Sequence, residues 1–249
     1  MPRTDAGRPT YRGDVTRSAL LTVAVLTAGS LVSCSEVPKG SSSAPTPPAA
    51  APARSALAAP PRESTTPAPE SRASFGDGRP RPARLSIPAL RLRDLAVVPY
   101  RGRTDDAAGT RIQDDGVAAS PYGPGGGVGP GGVGNFQVTA HRTSSTRPFA
   151  RLPSLRVGQR AVVETAGVRY VYEVRRTRET SFRSSRSLAA QRAAVPGRPG
   201  VRPRQAFLTL STCATPEDHA EGNYWADELH NPEHRIVKIG VLVRTVRKD

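Results

Sequence analysis

The chain has 249 residues, enough for one substantial domain plus accessory segments, and only 37% are hydrophobic and 5% aromatic, so part of it lacks the apolar content to fold. A formal net charge of +15 admits nucleic acid, an anionic membrane surface or an anionic wall polymer as partner. The positive residues are scattered arginines, not a basic stripe with interleaved aromatics, which argues against nucleic acid.

The first element is an export signal. Arg3, Arg8, Arg12 and Arg17 precede an apolar run from Ser18 to Ser33. That run is shorter than the roughly 20 residues a spanning helix needs, and a basic stretch before a short apolar one is the layout of a secretory signal. It ends Leu31-Val32-Ser33-Cys34, which resembles the lipobox of bacterial lipoproteins and makes Cys34 a lipid-attachment candidate. The rival is an uncleaved signal anchor. Either way residues 1–34 tether the rest of the chain outside the membrane. Residues 35–83 run on Pro, Ala, Ser and Arg with no period of 2 or 3.6, and read as a disordered, semi-extended spacer of about 3 Å per residue.

Order is expected over residues 84–249. Leu85–Ile87 and Leu90–Leu92 are short strand signals, with an edge or kink at Pro88. Residues 120–134 form a glycine-rich loop without the Lys-Ser/Thr of a phosphate-binding loop, so a nucleotide site is discounted. Asn135–Ala140 alternates cleanly. Ala161–Thr165 and Val168–Val174 flank Ala166-Gly167 as a hairpin. Residues 186–195 suit a short helix ending at Pro196. Gln205–Thr212 and Arg235–Val243 are the last strands; Val237, Ile239, Val241 and Val243 share a face in the second. Six to eight short strands with little helix imply an all-β, closed or nearly closed barrel.

Chemistry concentrates at strand ends. Cys213 closes Thr209-Leu210-Ser211-Thr212-Cys213, on a rim rather than in a core. The bland alternative is an inert buried thiol. With Cys34 in the leader, the two cysteines make no disulfide framework. A nucleophilic cysteine needs a group that takes its proton or stabilises thiolate. Of His141, His219, His230 and His234, His141 alone also ends a strand. Arg235 opens the last strand, where a guanidinium can serve a substrate carbonyl or a developing oxyanion.

The order His141, Cys213, Arg235 resembles the sortase family. TLSTC fits that family's TLxTC motif, and AHRTSSTRPFARLPSLRVGQRAVVET is similar to the segment after the histidine in actinobacterial class E sortases. The resemblance covers roughly residues 84–246. It implies an eight-stranded sortase-type barrel with one or two short helices. Its implied reaction is a cysteine transpeptidation at the Thr–Gly bond of an LPxTG or LAxTG sorting signal on secreted proteins, resolved by a peptidoglycan-precursor amine. In it Cys213 is nucleophile, His141 acid and base, Arg235 the oxyanion stabiliser and Thr212 a substrate contact, with no cofactor and no metal. The sequence departs from the pattern at Ala140, where glycine is usual, and in residues 214–234. That segment is long for the family and holds Trp225 and Tyr224, which suit a cover over the substrate groove.

Three rivals remain. Cys213, His219, His230 and His234 have zinc-like spacing. A non-catalytic wall-binding β-domain would use the charge alone. A pilin-polymerising sortase would keep the chemistry and change the acceptor.

Overall fold

The computed structural model describes residues 74–248, so the export segment, Cys34 and most of the spacer lie outside the described residues. Eight strands appear in chain order: β1 (Ala83–Ile87), β2 (Leu92–Arg101), β3 (Ala118–Tyr122), β4 (Gly134–Thr139), β5 (Arg160–Thr165), β6 (Val168–Ser181), β7 (Ala206–Cys213) and β8 (His234–Arg247). They close into a barrel in the order β1-β2-β3-β4-β7-β8-β6-β5. β1 pairs antiparallel with both β2 and β5, so no sheet edge is left open. The expected eight-stranded barrel is therefore what the chain forms.

Two of the pairings are parallel, β2 with β3 and β4 with β7, and parallel partners need crossovers. Helix α1 (Ala107–Asp114) makes the first. Its cap is Asp106, whose carboxylate accepts from Gly109 N at 2.8 Å. The second crossover contains β5, β6 and helix α2 (Ser185–Arg192), capped by Ser184. A third helix, α3 (Thr215–Ala220), follows β7 directly. Among the described residues three α-helices thus stand where one or two were expected. Two of them are short and carry no apolar stripe for a 3.6 period to reveal.

The interior takes one parity of each strand. Phe136 and Val138 of β4, with Ala140 just past its end, join Leu208 and Leu210 of β7, Tyr172 of β6 and Leu85 and Ile87 of β1. Each of the Phe, Val, Leu and Ile side chains contributes about 1.5–3 kcal/mol on leaving water. Phe149, Leu152 and Leu155, from the segment after His141, are fully buried in the same cluster. Lys238 is on the inward parity of β8 and spends its charge on Pro153 O (2.8 Å) and Thr177 Oγ1 (3.0 Å).

The opposite parity is covered too, which is why every residue of β4 is buried. Asn135 Nδ2 donates to the carbonyls of Gln191 and Ala193, Gln191 Nε2 donates to Ser211 Oγ, and Thr104 Oγ1 donates to Gln137 Oε1. The β6–β7 segment and the β2–α1 loop therefore roof the outer face of the β4-β7-β8 sheet with polar contacts. Val237 and Ile239 do share a face, as expected. It is this roofed outer face, opposite Ser211 and Thr209, not the barrel interior.

Candidate active site

Strand register decides which side chains meet. The β4–β7 pairing runs to Thr139 opposite Ser211, and Ala140 N still donates to Ser211 O at 3.4 Å. His141 and Cys213 come next on the outer parity of each strand. The antiparallel β7–β8 pairing ends with Cys213 directly opposite Arg235. A histidine, a thiol and a guanidinium thus leave one face of three adjacent strands at one rim. Thr212 has the other parity. It is fully buried and its Oγ1 donates to Ala140 O at 2.8 Å, so it ties two strand ends together beneath the rim.

Arg235 is held on every side. Only 2% of it is exposed. Its Nη1 donates to Cys213 Sγ, and its Nη2 donates to Asn231 Oδ1 at 2.5 Å and lies 3.2 Å from Asp105 Oδ1. The Phe182 ring lies 4.7 Å from the guanidinium carbon, in cation–π contact. Arg235 Nε and Asp105 Oδ2 have no partner among the described residues. Asp105 reaches this place from a left-handed turn (φ 61°), which Asp tolerates better than most side chains. Burial raises its carboxyl above the ordinary range, against Arg235 and Arg192. Burial also opposes charge on Arg235, but Asp105 and Cys213 outweigh it, so the guanidinium is raised and stays protonated. The Cys213 thiol is pushed up by burial, with the Arg235 charge and hydrogen bond working against that.

His141 is anchored from α1. Its Nε2 lies 2.8 Å from Asp114 Oδ1, and Ser145 Oγ donates to Asp114 O at 2.8 Å, so helix end and histidine loop move together. With Nε2 engaged, Nδ1 is the other ring nitrogen available for proton exchange. Arg142 bridges the same loop to β7 and α3. It donates to Cys213 O at 3.2 Å and makes a two-pronged pair with Glu217, whose carboxyl its hydrogen bond holds below the usual range.

The zinc-like set does not assemble. Cys213 is taken by Arg235, His234 Nδ1 by Asp218 at 2.6 Å, and His219 stacks on Tyr224 at 4.7 Å. His230 is exposed at a left-handed turn. Among the described residues no group of three or more His, Cys, Asp or Glu is placed to hold a metal.

A family model for the sortase domain matches residues 85–227. The chain belongs to the sortase family. Sortases are cysteine transpeptidases, and the eight-stranded barrel is the fold of that family. A search of curated proteins returns no match. Among solved structures the chain is similar to the SrtA sortase from Actinomyces oris (20% identity, 73% of this chain and 89% of that one, TM-score 0.51). It is also similar to sortase E from Streptomyces avermitilis (21% identity, 70% and 93%, TM-score 0.48) and to Sortase E1 from Streptomyces coelicolor, determined with a tripeptide in the active site (24% identity, 70% and 94%, TM-score 0.48).

Within this sortase the family match contains His141 and Cys213 but stops before Arg235, whose place rests on the β7–β8 register. Asp105, Asp114, Phe182 and Asn231 also belong to the rim, and sequence reasoning passed over them. Asp105 and Asn231 sit in turns and Asp114 ends a short polar helix, so no periodicity marks them. Residues 214–234, expected to suit a cover, place their aromatics apart from Arg235. Trp225 lies half-buried with Arg183 above it at 5.9 Å, Tyr224 faces solvent, and what the segment delivers to the site is Asn231.

Proposed function

We propose that Cys213 is the nucleophile, His141 the proton carrier and Arg235 the oxyanion donor of a class E-type sortase acting on LPxTG- or LAxTG-like sorting signals. The observation that carries this reading is the shared register of β4, β7 and β8, which sets the three side chains on one face at one rim. The Cys213 thiol passes its proton to His141, and the sulfur attacks the Thr carbonyl carbon of the signal. A C–S bond forms, and the carbonyl oxygen takes negative charge against an Arg235 N–H. The C–N bond to Gly then breaks, and His141 gives its proton to the departing amine. An acceptor amine, of a peptidoglycan precursor, attacks the thioester, yields its proton to His141 and returns the free sulfur. Asp114 holds the imidazole for both transfers.

The N-terminal sequence supports a cell-surface location, with residues 1–34 as lipoprotein signal or signal anchor, Cys34 as the lipidation site and residues 35–83 as spacer. The protein substrates are then secreted proteins that carry the C-terminal signal. Incubating the full chain with LAxTG and LPxTG peptides and a small amine tests this. The expected product is the peptide cut after Thr and capped by the amine; uncut peptides of both kinds contradict the assignment.

A further inference from the structure

Residues 214–234 bring a turn to the buried side of Arg235. Asp227 organises it: its Oδ1 accepts from Leu229 N (2.9 Å) and Asn231 N (2.8 Å), and its Oδ2 accepts from Asn231 Nδ2 (2.9 Å). Asp227 N returns a bond to Asn231 O at 3.0 Å, and Ala226 and Pro232 pair as an antiparallel bridge. The amide of Asn231 is therefore fixed through its nitrogen, which leaves its Oδ1 aimed at Arg235 Nη2. Asn231 is 7% exposed and Arg235 2%, so water does not share this contact. An arginine has a rotamer-rich stem, and a guanidinium that must meet an oxyanion gains from having its orientations removed beforehand. Asp105 supplies charge on the same Nη2, and the turn supplies direction.

We propose that the Asp227–Asn231 turn is a brace for Arg235, with Asn231 a positioning residue in transpeptidation. This rests on the reading of Arg235 as oxyanion donor. The long segment between the nucleophile and the last strand then acts on the enzyme's own arginine and not as a cover over the groove. A brace fixes geometry needed in the transition state, so its loss lowers kcat more than it changes KM.

The test is a double-mutant cycle on the full chain, read as single-turnover thioacylation by a sorting-signal peptide. Asn231→Ala is expected to slow the step roughly tenfold or more at saturating peptide, and to do so less than about twofold in an Arg235→Ala background. Asp227→Ala, which frees the turn without removing a hydrogen bond of Arg235 itself, is expected to act in the same direction, more weakly and equally silently once Arg235 is gone. It keeps the test decisive where Asn231→Ala melts early. Equal losses in both backgrounds, or no loss from either variant beside an intact Arg235, overturn the brace while leaving Arg235 its role. Full activity of Arg235→Ala alone overturns that role and the brace with it.

Discussion

Cys213 carries two opposing influences that no sequence pattern displays. Burial favours the neutral thiol, and the buried Arg235 beside it favours thiolate. Because burial is the stronger, free enzyme is expected to alkylate slowly at neutral pH and faster as pH rises past the ordinary cysteine value of about 8.5. Replacing Arg235 with Ala removes the opposing charge and moves that rise to still higher pH. Peptide-mapped alkylation rates against pH check both; an unchanged profile in the variant shows that the guanidinium does not act on the sulfur. Asp114 is the second residue at this scale. Asp114→Asn keeps the shape but weakens the bond to His141 Nε2, and on a half-exposed contact the cost is roughly 1 kcal/mol, or three- to tenfold in kcat. Ring ¹⁵N shifts of His141 give a check separate from rate, since a lost anchor changes the tautomer signal.

Elements explain what was legible beforehand. The alternation in β4, the apolar run of β7 and the hairpin at Gly167 (φ 74°), which pairs β5 with β6, all emerged from patterns of period two. β3 did not, because Ala118–Tyr122 is short, contains Pro121 and reads as the start of the glycine-rich loop. The second half of β6 was also missed. Arg175–Ser181 is polar, and two bulges against β8 break its alternation. Cys213, His141 and Arg235 stand out in the sequence because strand ends and a motif mark them, and the strand register brings the three to one rim. What the sequence does not show of Thr212 is its inward parity, because adjacency to Cys213 conceals the alternation of a strand. Thr212→Val leaves the Ala140 carbonyl without its donor and is expected to cost about 1–2 kcal/mol, a few degrees in Tm, with activity falling as the strand ends separate.

The join between α3 and β8 predicts a pH effect. Burial works against a charged His234, but the Asp218 hydrogen bond and charge, with Glu179 and Glu233, carry its pKa above the usual histidine value. A folded pKa above the unfolded one means the contribution is complete below about 6.5 and is lost as pH rises through the folded value. Hydrogen exchange in residues 214–234 is therefore expected to quicken as pH climbs above neutrality beyond the intrinsic base-catalysed rate. His234→Ala should remove that excess, and an excess that survives the substitution places its origin elsewhere.

At the scale of the molecule, a closed barrel leaves no sheet edge, and the three side chains proposed for the chemistry gather at one rim, where β4 and β7 end and β8 begins. The interior sets the register, and the register sets the rim. The positive charge that first admitted polymer binding is dispersed, and part of it is used within the domain, in Arg235 with Asp105, Arg142 with Glu217 and Arg169 with Glu164. All of the proposed chemistry passes through one covalent intermediate. The most direct test is to quench the full chain with an LAxTG or LPxTG peptide before any amine is added, and to map the mass gain. A thioacyl adduct on the Cys213 peptide, absent from Cys213→Ala together with all cleavage, is the result expected. Cleavage that persists in Cys213→Ala, or an adduct that maps to another residue, would contradict the account.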